Sequence, residues 1–241
     1  MASHLLNQVI EGIFNTFLQV DKDGMKMKHT TTQEVQPPLL EDFVFFAEAQ
    51  LRLFEISANE IFKQNLKDAL AFITKEFLEN NKMLTRAKMA DNFHPYPNQE
   101  YNCFDASFKS PVSTYILLMR RAAVLFGHQS YLQSIAPLVE NVSQTILKIN
   151  PISAGEALRA LTYPDYVLRV MKVPQSWIQK EEFLKFLPYF LSRFVLDYRD
   201  SAEESFEICN LNSCELQGKG IAEFIKILTP AQPNNNEGTL A

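Results

Sequence analysis

The chain has 241 residues, 46% of them hydrophobic and 21% charged, with a formal net charge of -5. A chain of this length buries roughly 70–75% of the surface it exposes when unfolded, enough for one sizeable core. The acidic balance argues against a nucleic-acid partner, which needs a clustered excess of Lys and Arg, and no run of about 18 apolar residues occurs, so no membrane span is expected.

In chain order, Leu6, Val9, Ile10, Ile13 and Phe17 form one stripe at helical spacing opposite Asn7, Gln8, Glu11 and Asn15. Leu39 to Ile56 carries Leu40, Phe43, Val44, Ala47, Leu51 and Phe54 at that spacing, but Phe45, Phe46, Ala49 and Leu53 fill most of the remaining circumference. Such a helix requires burial on most sides. Ile61 to Leu78 has a single stripe, Phe62, Leu66, Ala69, Leu70, Ile73 and Phe77, and keeps one face wet. Ser57 and Glu60 supply the S-x-x-E capping pattern, so the second helix is predicted to start close behind the first and fold back as a hairpin.

The alternation repeats. Val112 to Phe126 is apolar nearly all round, with Ser110 as N-cap, Pro111 at the first helical position and Gly127 at the end. Its striped partner holds Tyr131, Ile135, Leu138, Val139, Val142 and Ile146, and a short third buried helix is predicted from Ser153 to Leu161, opened by Ser153 and Glu156. Beyond it, Tyr166 to Lys172, Arg193 to Tyr198 and Phe206 to Cys209 read as strands, with helices over Glu181 to Phe190 and Gly220 to Leu228. Thr229 to Ala241 has too little apolar content to order itself.

Greasy rods alternating with striped ones point to an inner and an outer ring. The expected fold is all-α, a partial (α/α) toroid of helical hairpins over residues 1–162, with a small C-terminal α+β appendage over 163–228 and a loose tail over 229–241. Because the chain opens on an outer-type helix, Met1 is expected to fall inside a larger toroid of which this chain is the C-terminal part.

Leu40-Glu41-Asp42-Phe43, the loop segment Asp105-Ala106-Ser107 before Ser110 and Ser113, Ala157-Leu158-Arg159-Ala160-Leu161, and the pair Cys209 and Cys214 occur in one order. Together they resemble the C-terminal half of the thioredoxin-domain proteins that carry an α/α toroid, the family of the spermatogenesis-associated protein of animals, from about His4 to Leu228. The resemblance implies a fold related to six-hairpin glycosidases and sugar epimerases, with no settled activity. The family's second loop reads roughly D-G-A-x-P-S-G-N-S; here Asp105, Ser110 and Ser113 match, while Ala106 and Pro111 replace the glycines and Val112 the asparagine. A site relying on that asparagine is expected to be weakened or lost.

In such a toroid the outer-to-inner loops meet at one mouth, here Asp21 to Pro38, Asn80 to Lys109 and the turn at Asn150. The long middle loop carries Arg86, Asp91, Phe93, His94, Tyr96, Tyr101 and Phe104, ionisable groups mixed with rings suited to stacking on sugar faces. Glu41, Asp42 and Asp105 are the candidate acid–base residues; Arg86, His94, Tyr96, Tyr101, Phe104 and Ser110 are the candidate substrate contacts. Each has a plainer reading. Glu41 and Asp42 sit where acids offset a helix dipole, Asp105 suits a loop residue anchoring amides, His94 fits a packed or solvated loop position, and Ser153 and Glu156 already have a capping role.

Four scattered histidines lack metal-ligand spacing, so no metal is expected, and no cofactor is implied. Cys209 and Cys214 are able to bridge, but buried reduced thiols are the expectation, and three thiols suit the cytoplasm. Two functions follow. One is an epimerase-like or glycosidase-like protein taking a sugar-like small molecule at the mouth. The other is a non-catalytic half that docks on a protein partner carrying the missing toroid helices and thioredoxin domain.

Overall fold

The computed structural model describes residues 9–10, 12–13, 15–21, 24–28, 38–89, 96–148, 151–162 and 168–228. Leu6, the loop residues 29–37 and the tail 229–241 lie outside them. Residues 9–10, 12–13 and 15–17 are helical, and a short antiparallel pair, β1 (Leu18–Asp21) and β2 (Gly24–Met27), follows, with Leu18 opposite Met27. Of the predicted N-terminal stripe, Val9 and Ile13 are about half exposed.

Helix α1 (Leu40–Ser57) buries Phe43, Phe54 and the residues between them on the core side, and Phe43 stacks on Phe72 of α2 (Glu60–Phe77) at 4.5 Å. Between the helices, Ala58 adopts a left-handed conformation (φ 55°) and its N–H donates to the Phe54 carbonyl. Asn59, rather than the predicted Ser57, caps α2 by accepting from the Ile61 N–H at 3.0 Å. The Ser57 hydroxyl donates back to the Leu53 carbonyl and accepts from the Asn59 N–H at 3.3 Å, one residue ahead of the helix. A tight hairpin of β3 (Leu78–Glu79) and β4 (Lys82–Met83) follows, its turn made by Asn80 and Asn81 at φ 50° and 63°, the left-handed values such a turn requires.

Helix α3 (Pro111–Phe126) is buried along nearly its whole length. Ser110 caps it, Pro111 is its first residue and Gly127 closes it at φ 69°. Helix α4 (Ser130–Lys148) lays Ile135, Leu138, Val142 and Ile146 into the core, and α5 (Gly155–Thr162) is short. Lys109, just ahead of α3, pairs with Glu48, while Arg121 near its end pairs with Glu55, so α1 and α3 run parallel. Arg120 donates to the Ala160 carbonyl and the start of α5 is tied to the start of α3, so α5 shares their direction.

The remaining chain forms β5 (Val170–Pro174), α6 (Glu181–Arg193), β6 (Val195–Arg199), β7 (Ser205–Cys209), β8 (Cys214–Lys219) and α7 (Ile221–Leu228). The sheet order is β6-β5-β7-β8; β5 and β6 are parallel through α6, the other pairs antiparallel. Trp177 is fully buried among Phe183, Phe206 and Phe224, with centroids 5.2–6.3 Å away, and its indole N–H donates to Glu204 at 2.6 Å. Gly218 lies flat under Phe206, where a Cβ would stand 2.6 Å from the ring.

The expectation of an all-α partial toroid is overturned: the described residues hold eight strands in three sheets, and the fold is α+β. Strand β6 crosses the ends of α1 and α3 where further helices would stand in a ring. The buried Glu55 carboxylate accepts from Arg52 (2.8 Å), Arg121 (2.7 Å) and the Leu196 N–H of β6 (3.3 Å), and the Glu55 carbonyl accepts from the Tyr198 hydroxyl at 2.6 Å. Lys63 of α2 bonds Asp197 at 2.6 Å. Sheet and helices therefore share one core.

Burial pushes the phenols of Tyr115 and Tyr198 well above their usual range, the Glu55 charge adding to the effect at Tyr198. Tyr115 donates to Thr74, whose own proton is given to the Leu70 carbonyl. An unfolded chain releases these two protons around pH 10. The folded state then binds more protons than the unfolded one, so stability falls as the pH rises above that value. Urea unfolding should show a loss approaching about 1.4 kcal/mol per pH unit for each tyrosine, and a Tyr115→Phe, Tyr198→Phe double variant should have the shallower slope. Equal slopes would contradict this assignment.

Candidate functional site

The parallel direction of α1, α3 and α5 brings their N-termini to one end of the molecule, where the segment 96–110 passes all three. Its first part pairs with the chain after β4: the Thr85 N–H donates to the Gln99 carbonyl at 2.8 Å, the Tyr101 N–H to the Met83 carbonyl at 2.6 Å. Asn98 clips Arg86 from both sides, accepting from its N–H and donating to its carbonyl. The Arg86 guanidinium donates to the Tyr96 carbonyl at 2.7 Å, so it organises this loop, and the Tyr96 ring is 71% exposed. His94 lies outside the described residues.

Tyr101 turns inward and its hydroxyl donates to Glu41 at 2.7 Å. Burial first, then the hydrogen bond and charge of Glu41, hold that hydroxyl above the ordinary phenol range, so it remains a donor at any working pH. Asp42 is half-buried in the same helical turn. Asp105 uses both carboxylate oxygens on backbone: Oδ1 accepts from the Ser110 N–H at 2.8 Å and Oδ2 from the Glu156 N–H at 2.9 Å, while its own N–H donates to the Ser153 carbonyl. Asp105 is thus the cap of α5, a role the sequence pattern gives to Ser153 and Glu156. The Glu156 carboxylate is instead held by Arg159 at 2.7 and 3.0 Å. Ser110 is buried and accepts from the Ser113 N–H as the cap of α3.

What these contacts leave is a groove of about 220 Å³ whose wall includes Thr85, Gln99, Tyr101, Asn102, Phe104 and Ser110. Three expected contact residues, Tyr101, Phe104 and Ser110, meet there, and Glu41 stands behind Tyr101. Arg86 and Tyr96 serve the loop outside the wall. Thr85, Gln99 and Asn102 are wall residues the sequence analysis did not single out; the signal is the run Asn98-Gln99-Glu100-Tyr101-Asn102, side-chain amides interleaved with a ring.

Cys209 and Cys214 are joined in a disulfide, which corrects the expectation of reduced thiols. The reason is local: the Asn210 side chain accepts from the Asn212 and Ser213 N–H groups, and this turn sets the two cysteines directly opposite across β7 and β8. Glu207 lies with these sulfurs within 4.8 Å, but joined sulfurs offer no thiolate to a metal. Cys103 keeps a free thiol, buried and pushed up mainly by that burial. Among the described residues no helix is long and apolar enough to cross a membrane.

No protein-family model matches the chain, and no curated protein matches it.

Removing the Asp105 carboxylate orphans two amides at two helix starts. Asp105→Ala should lower the unfolding free energy by about 1–3 kcal/mol, and amide exchange at Ser110 and Glu156 should accelerate. Unchanged exchange at Glu156 would show that the cap of α5 lies elsewhere.

Proposed function

We propose that the chain binds a small polyhydroxylated, sugar-like ligand in the groove beside the N-termini of α1 and α3. The observation that carries this reading is the composition of the wall. Rings from Tyr101 and Phe104 offer apolar faces to a sugar's C–H groups, and the Gln99 and Asn102 amides and the Thr85 hydroxyl offer donors and acceptors to its hydroxyls. Glu41 fixes the Tyr101 ring through its hydroxyl.

The chemistry favours binding over turnover. Hydrolysis of a glycosidic bond needs two carboxyl groups free to face it from opposite sides. Asp105 is committed to two amides and Glu41 to Tyr101, while Glu100 on the rim pairs with Lys82 at 2.6 Å. The cytoplasmic expectation rested on three thiols, and with two of them bridged it loses that support.

Titration of the protein with monosaccharides, disaccharides and sugar phosphates, followed by ligand-observed NMR, tests the proposal. At least one compound should bind saturably, and Phe104→Ala should weaken it by about two- to tenfold, the worth of one stacked ring. A panel without a single saturable response, or equal binding by Phe104→Ala, would remove the reading.

A further inference from the structure

A second opening shares no wall residue with the loop groove. It lies where the flanks of α1, α3 and α5 meet the start of β5 and the turn from α6 into β6. Five arginines line it, Arg52, Arg121, Arg159, Arg169 and Arg193, each from a different segment. Its floor is apolar, with Leu51, Leu117, Leu118 and Leu168, and its volume is about 210 Å³. That is below the ~300–1,000 Å³ of a site for a drug-sized ligand, yet enough for an anionic head with a short apolar group. In a chain of net charge -5, so many cations around one small opening are not a consequence of composition.

The internal partners of these arginines leave donors over. Arg52 uses Nη1 on Glu55, and Arg121 reaches Glu55 and the Phe194 carbonyl. Arg159 turns Nε and one Nη to Glu156, and Arg169 gives only Nε to Glu215, at 2.6 Å. Arg193 lies over the Tyr189 ring at 4.4 Å, and among the described residues no carboxylate pairs with it. Glu48, the one acid in the wall among the described residues, is taken by Lys109 at 2.5 Å. The Nη groups of Arg169 and the whole Arg193 guanidinium therefore have no protein acceptor among the described residues. Guanidinium forks match phosphate oxygens two at a time. An apolar floor lowers the local dielectric and strengthens each such contact.

We propose that this cleft is a binding site for a small phosphate monoester, with the phosphoryl group held by Arg169 and Arg193 and its organic part on the leucine floor. The spare Nη groups of Arg169 and the guanidinium of Arg193 favour a dianionic phosphoryl group over a singly charged carboxylate. The assignment is independent of the sugar-like reading of the loop groove.

Calorimetric titration of the full chain at low salt with phenyl phosphate, benzoate and benzyl alcohol tests it. Phenyl phosphate should bind saturably, more tightly than benzoate and more weakly as salt is added, and benzyl alcohol should not bind. Arg169→Met with Arg193→Met should weaken phenyl phosphate at least tenfold. Arg193 is exposed and Arg169 half-buried, and a circular dichroism spectrum checks that the variant is folded. Phe104→Ala should bind phenyl phosphate as the wild type does, which separates this site from the groove. Absence of saturable phenyl phosphate binding, tighter binding of benzoate, or full affinity in the double variant would overturn the proposal.

Discussion

Glu55 sits near the C-terminal end of α1 with no solvent exposure, and an ionised carboxylate there is tolerable only if its lone pairs are met. Three donors from three parts of the chain meet them: Arg52 one turn back, Arg121 on α3 and the Leu196 amide on β6. The same residue's carbonyl takes the Tyr198 hydroxyl. Removing any one donor returns part of the burial penalty, so α1, α3 and β6 are held in one relative position. The parallel direction of α1 and α3 follows from this knot together with Lys109 and Glu48, and with it the gathering of helix starts at the opposite end.

At that opposite end Asp105 repeats the principle with backbone amides as its donors. A carboxylate from a loop satisfies amides at the starts of α3 and α5, where the helix dipoles also favour negative charge. The loop is pinned at Asp105 and at Tyr101, and the wall between those points becomes a fixed surface. The arginine cleft has a different origin. It exists because β6 and the turn before it approach the flanks of α1 and α3, an approach the Glu55 knot enforces.

The helices were legible because their information is local. Ser110 and Pro111 at one end and Gly127 at the other bound the sixteen residues of α3, and the stripe of α2 is written in its own period. Features set by distant partners were not. Asp105 caps a helix 51 residues away, which no spacing rule reveals. Strand β8, Cys-Glu-Leu-Gln-Gly-Lys, is a polar edge strand and carries no apolar alternation, and the β1–β2 pair was hidden because Asp21 to Pro38 reads as loop. An all-helical ring was inferred from rods that are buried on most sides; what buries α1 and α3 at their far ends is a sheet. Of the groove, the rings were legible from the loop's composition, while Thr85, reached only by backbone pairing with Gln99, was not. The arginines were invisible because they are spread from Arg52 to Arg193 and converge only in the fold.

Both openings depend on helices and sheet being locked together at Glu55. The direct test is the unfolding free energy of Glu55→Ala, measured in urea with Trp177 fluorescence for the sheet and far-ultraviolet circular dichroism for the helices. Loss of a buried, doubly paired carboxylate should cost about 3–5 kcal/mol, with both signals shifting together. A variant within about 1 kcal/mol of the wild type, or one in which only the helical signal shifts, would contradict the claim that this carboxylate joins the two.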